Sequence, residues 1–101
     1  AIRAVTSSGP HAKMTARRVL ILEDEMLVAM LLEDLLMDLG HSVAATAGSI
    51  RQALEAIAQL PVDLAILDIN LPDGRSDAVA DALMARNIPF LFATGYGAQG
   101  V

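Results

Sequence analysis

Three short, unbroken apolar runs constrain this chain more than any other feature. They are Val19-Leu20-Ile21-Leu22, Leu64-Ala65-Ile66-Leu67 and Pro89-Phe90-Leu91-Phe92-Ala93. None alternates with polar residues, so none can leave one face in water. Such runs read as strands buried on both faces, the pattern of a parallel sheet covered by helices. A weaker strand is expected over Val43 to Ala47. Between the strands, apolar residues recur at three and four. Met26 to Leu39 carries a stripe at Val28, Leu31, Leu32, Leu35, Leu36 and Leu39, with Gly40 placed to cap its end. A second helix is expected from Ser49 to Leu60, with Ser49 and Gln52 at capping-box spacing and Ile50, Leu54, Ile57 and Leu60 inward. A third is expected from Ser76 to Arg86, with Val79 and Leu83 inward. Alternating strands and helices with short links predict an α/β fold, a doubly wound parallel sheet with right-handed crossovers.

The 101 residues suffice for one domain. Hydrophobic residues make up 54% and aromatic residues 3%, so aliphatic side chains must build the core. The net charge of −5 argues against nucleic-acid binding by this chain. With no cysteine, disulfides and thiolate metal sites are excluded. The longest apolar run, Met26 to Leu32, falls far short of the roughly 20 residues of a membrane helix. These features, with no signal-peptide core, predict a soluble cytoplasmic protein. Residues 1–17 lack a clear period and read as an N-terminal tail without function, with Met14 as a candidate natural start. Residues 18–101 read as the domain.

In open α/β sheets, ligands bind beyond the carboxyl ends of the strands. The first apolar run ends in Glu23-Asp24 and the second in Asp68, while the third is followed by Thr94. Acids often follow strands simply as solvated loop residues. Two strands ending this way at one face point to a site instead. If those strands are neighbours, three carboxylates converge, and their repulsion favours protonation unless a cation neutralises them. A ligand set of oxygens without Cys or His suits a hard cation, above all Mg²⁺. A carboxylate beside Mg²⁺ can attack phosphorus, and a hydroxyl can hold a phosphoryl oxygen. Asp68 is the candidate nucleophile and Thr94 the candidate hydroxyl.

The segments VLILEDE, DLAILDINLPDG and PFLFATGYG together resemble the receiver domain of bacterial two-component response regulators. The last is similar to the FAT GUY subgroup. The match covers roughly residues 18–98. The resemblance implies a flavodoxin-like sheet of strand order 2-1-3-4-5. It implies that Asp68 accepts a phosphoryl group from a histidine kinase or phosphotransfer protein. It further implies that Glu23, Asp24, Asp68 and the Asn70 backbone carbonyl hold Mg²⁺, and that Thr94 is the switch hydroxyl. Asn70 and Tyr96 occupy positions that tune dephosphorylation in this family. The domain would be a signalling switch with at most autophosphatase activity, not a multiple-turnover enzyme.

One departure stands out. The family's fifth strand ends in a lysine that contacts the phosphoryl group, and a fifth helix follows. The sole lysine here is Lys13, and the sequence stops before any fifth strand, which reads as truncation. Two expectations follow: slowed phosphorylation, and a bare edge on the fourth strand that promotes self-association. Two other readings compete. One is a binding or dimerisation module that works without phosphorylation. The other is a Mg²⁺-dependent phosphohydrolase with an aspartate nucleophile, which needs a second Asp where Asn70 stands. Glu25 reads as a helix-start acid and His41 as a surface turn residue. Met26, Met30, Met37 and Met84 read as core filler.

Overall fold

The computed structural model describes residues 2–4, 15–68, 70–71 and 74–93. The elements run in the order β1 (Ile2–Ala4), β2 (Arg18–Leu22), α1 (Met26–Asp38), β3 (Ser42–Ala47), α2 (Ile50–Gln59), β4 (Leu64–Asp68), β5 (Asn70–Leu71), β6 (Gly74–Arg75), α3 (Asp77–Ala85) and β7 (Phe90–Ala93). The main sheet has the order β1-β7-β4-β2-β3. Strands β3, β2, β4 and β7 are parallel. Counted among themselves they take the order 2-1-3-4, the doubly wound, flavodoxin-like arrangement expected of a receiver.

Each strand feeds two cores. Leu20 and Leu22 of β2, Ala65 and Leu67 of β4, and Phe90 of β7 pack with Ala53 and Ile57 of α2 and Val79 and Leu83 of α3. Val19, Ile21, Ile66 and Ala93 point the other way and pack with Leu32 and Leu36 of α1. This alternation in an all-apolar strand is why the runs could not expose either face.

Local chemistry ends the helices. Ser49 Oγ accepts from Gln52 N at 3.2 Å, and Gln52 Oε1 accepts from Gly48 N at 2.8 Å, a box that reaches one residue beyond the cap. After α1, Gly40 adopts φ +91 while Gly40 N donates to the Met37 carbonyl and His41 N to the Leu36 carbonyl. That is a Schellman end, and its left-handed residue favours glycine. Helix α3 ends in the same way on Asn87, at φ 58. Asparagine tolerates that conformation better than most residues.

Several expectations are corrected. In α1 the buried positions are Ala29, Leu32 and Leu36, whereas Leu31, Leu35 and Leu39 are exposed. Met26, Met30, Met37 and Met84 are exposed too, so they are not core filler. The helix is apolar nearly all round, so periodicity could not choose its inner face. In α2, Leu60 is exposed. The Asn70–Gly74 turn carries a small antiparallel pair, β5 with β6. Finally, β7 is not bare. Ile2–Ala4, from the segment read as an N-terminal tail, pairs antiparallel along the edge expected to drive self-association.

At the amino end of the sheet, Asp63 accepts from the Arg18 backbone N at 2.8 Å and from the Arg18 guanidinium at 2.9 and 3.0 Å. These bonds hold the Asp63 carboxyl down at about 2, below its ordinary 3.8. A depressed carboxyl contributes stability above its ordinary value and loses it as pH falls through the folded one. Asp63→Asn should therefore lower the thermal midpoint modestly at neutral pH. The gap to wild type should close as pH falls from 3.8 to about 2. Leu20→Ala, in the first core, should cost about 2–5 kcal/mol by urea denaturation.

Candidate functional site

The site grows from the register of two strands. In the β2–β4 pairing, Leu22 lies opposite Leu67, so the next residues, Glu23 and Asp68, leave the sheet at the same level. Asp24 follows at once. Carboxylate oxygens from Glu23, Asp24 and Asp68 lie within 4.8 Å of one another. This is the convergence expected if the strands were neighbours. On the other side of β4, Asp68 is in register with Ala93, the last residue of β7.

The three acids differ in exposure. Glu23 is buried, at 7% exposure; Asp68 is half-buried and Asp24 exposed. Glu23 Oε2 accepts from the backbone N of Glu25 at 3.0 Å, while Glu23 N donates to the Ala47 carbonyl at 2.9 Å. These bonds pin the residue between β3 and the start of α1. Burial pushes the Glu23 carboxyl up to about 7, and the charges of Asp68 and Asp24 push the same way. The Glu25 bond opposes the shift without cancelling it.

Such a cluster can hold a hard divalent cation. Its donors are all carboxylate oxygens, they are close together, and one of them is driven toward protonation by its surroundings. A cation would remove both the repulsion and the reason to protonate.

The remaining candidate residues divide plainly. Asn70 lies in β5, two residues past Asp68, with its backbone paired to Arg75. Thr94 and Tyr96 lie outside the described residues. Thr94 directly follows Ala93, the residue in register with Asp68. Glu25 is the N-cap of α1, but its side chain makes no capping bond; its contribution is the backbone N–H given to Glu23. Sequence reasoning assigned Glu25 only a dipole role, because residue type carries no sign of a backbone contact. His41 Nδ1 accepts from Arg17 N at 3.1 Å, a structural tie remote from the acids in sequence.

Residues 19–100 match the Response regulator receiver domain family. The chain belongs to that family. Among relatives of this receiver domain, the Phyllosphere-induced regulator PhyR of Methylorubrum extorquens is 40% identical over 84 residues, covering 80% of this chain and 32% of that protein. The solution structure of the Erythrobacter litoralis PhyR receiver domain superposes with TM-score 0.73 at 47% identity, covering 82% of this chain and 66% of that one. The Bartonella quintana PhyR, an anti-anti-sigma factor solved with the anti-sigma factor NepR, superposes with TM-score 0.75 at 36% identity, covering 85% of this chain and 37% of that one. The receiver thus spans about a third of the length of these full-length PhyR relatives. Among the described residues, no helix is long and apolar enough to cross a membrane.

The raised Glu23 carboxyl sets a pH dependence. A folded value above the ordinary one means that ionisation opposes folding. The cost sets in as pH rises past 4.5 and is complete above about 7. Without divalent cation, Glu23→Gln should raise the urea midpoint above pH 7 and leave it unchanged below pH 4.5.

Proposed function

We propose that this chain is a phosphorylation-dependent signalling switch in which Asp68 accepts a phosphoryl group from a histidine kinase or phosphotransfer protein. The observation that carries this reading is the clustering of Glu23, Asp24 and Asp68 within 4.8 Å at the carboxyl ends of adjacent strands. A buried acid with a raised proton affinity, in a cluster of like charges, supports a site over a solvated loop.

In the transfer, a carboxylate oxygen of Asp68 forms a bond to phosphorus as the P–N bond of the donor phosphohistidine breaks. The departing imidazole keeps the electron pair of that bond and takes a proton from solvent. Mg²⁺, held by Glu23, Asp24, Asp68 and the Asn70 backbone carbonyl, would neutralise charge on the transferring oxygens. Thr94 supplies the hydroxyl that holds one of those oxygens after transfer. Its place directly after Ala93, in register with Asp68, supports that role. The acyl phosphate then shifts the domain between two states, with autophosphatase activity as the return path. The setting is a bacterial cytoplasm.

The donor protein must reach Asp68 across a surface beside it. Helix α1 begins two residues after Asp24, with Met26 at 74% and Leu27 at 76% exposure and Met30 and Leu31 exposed behind them. This apolar face, continuous with the acidic cluster, suits a helical donor. The downstream partner belongs to the whole protein. An anti-sigma factor, as in the Bartonella quintana relative, is the class of partner to test first.

Incubation with phosphoramidate and Mg²⁺, read by intact mass, tests the central claim. Wild type should gain one phosphoryl group and Asp68→Asn none. Mg²⁺ alone should raise the thermal midpoint of wild type but not of Glu23→Gln/Asp24→Asn. No adduct and no Mg²⁺ effect on wild type would refute the reading. Leu27→Glu/Leu31→Glu should slow transfer from a cognate kinase tenfold or more while leaving phosphoramidate labelling unchanged.

A further inference from the structure

We propose that Thr46 and Glu33 form a positioning pair that holds the Glu23 carboxylate in place as a cation ligand. The inference rests on the reading of Glu23, Asp24 and Asp68 as a Mg²⁺ site, and it assigns that site two further residues outside the acidic cluster.

Glu23 is fixed by backbone groups of two separate elements. Its N–H donates to the carbonyl of Ala47, the last residue of β3, at 2.9 Å. Its Oε2 accepts from the N–H of Glu25, the N-cap of α1, at 3.0 Å. The carboxylate therefore sits wherever the end of β3 and the start of α1 together place it. The β2–β3 ladder sets the first partner, since Leu22 is in register with Ala47. No ladder sets the second, because α1 meets the sheet through side chains. Val28, Leu32 and Leu36 pack with Val19, Ile21 and Val43, all aliphatic. Such contacts are non-directional, so they fix the separation of helix and sheet better than the helix's position along its axis.

Thr46 supplies the missing direction. It directly precedes Ala47 and is in register with Ile21, whose side chain packs on the α1 side of the sheet. Its hydroxyl donates to Glu33 Oε2 at 2.6 Å, a short charge-assisted bond. Glu33 stands four residues after Ala29 and three before Leu36, both buried, so its carboxylate lies on the flank of α1 nearest the sheet. A carboxylate accepts only, so the strand must provide the donor, and the threonine hydroxyl does. The bonds close a ring from Glu23 to Ala47, to Thr46, across to Glu33, back along α1 to Glu25 and so to Glu23 again. Opening the ring at Thr46 frees α1 to slide, and the Glu25 N–H that aims the carboxylate slides with it.

NMR titration of the full chain with MgCl₂ tests the pair. Thr46→Val keeps the shape of the side chain and removes its hydroxyl, Thr46→Ser keeps the hydroxyl, and Glu33→Ala removes the acceptor. Thr46→Val and Glu33→Ala should each weaken Mg²⁺ binding about fivefold, less than the roughly 10–100-fold typical of a partner bonded directly to a ligand. The double variant should bind no more weakly than either single one, because both remove the same bond. Thr46→Ser should bind as wild type does. In the metal-free protein, the Glu25 amide should exchange with solvent about threefold faster in Thr46→Val than in wild type. Asp63→Asn, which acts on stability from the amino end of the sheet, should change neither quantity. Equal Mg²⁺ affinity in wild type and Thr46→Val overturns the inference and leaves the site standing. An Asp63→Asn variant that weakens binding as much as Thr46→Val also overturns it, since the effect is then general loss of stability. A wild type that binds no Mg²⁺ overturns the reading of the site and the inference with it.

Discussion

Backbone pairing between β2 and β4 is the constraint from which the site follows. With Leu22 opposite Leu67, Glu23 and Asp68 have no choice but to emerge together, and Asp24 comes with them. A slip of one residue would turn every side chain of the strand to the wrong core, so the register is fixed by burial rather than by the acids. The acids oppose it. Their mutual repulsion and the desolvation of Glu23 work against the folded state, and the apolar strands behind them offset that cost. Val19, Leu20, Ile21, Leu22 and Leu67 are all essentially inaccessible to water. Each large side chain so buried contributes about 1.5–3 kcal/mol. The apolar strands therefore hold three carboxyl groups together against their mutual repulsion.

The two cores are unequal. Among the described residues, α2 and α3 cover one face of the sheet and α1 covers the other. Helix α1 meets the sheet through Val28, Leu32 and Leu36 and leaves Met26, Leu27, Met30, Leu31, Leu35 and Met37 exposed. Glu33, on its flank, accepts from Thr46 Oγ1 at 2.6 Å and so ties the helix to β3. A helix with so much apolar surface is normally enclosed on more than one side. Here it starts two residues after Asp24 and leaves Met26, Leu27, Met30 and Leu31 exposed.

Much of this was legible beforehand, for identifiable reasons. Unbroken apolar runs gave away β2, β4 and β7, because strands buried twice have no freedom to include polar residues. The acids at their ends marked the place where three carboxylates meet, because topology makes strand ends converge. Gly40 and the Ser49–Gln52 pair marked helix ends, because few residues satisfy those backbone positions. The inward face of α1 was not legible, since a stripe cannot be read against a background of the same polarity. Asn87 was missed because asparagine serves many surface roles besides a left-handed cap. The hold of Glu25 on Glu23 was missed because it is made by a backbone atom. The pairing of β1 was missed because three residues are too few to show a period.

The far edge of the sheet is managed differently. In β3, Val43 pairs with Val19 and Ala45 with Leu20, leaving Ala44 as an extra residue with no counterpart in β2. The outer side of β3 therefore presents a rail with a kink in it, built largely of alanine, serine and threonine. Another molecule approaching there would find its hydrogen-bonding groups out of phase beyond the kink and little apolar surface to grip. Fibril-like stacking of copies through this side is discouraged by a single surplus alanine.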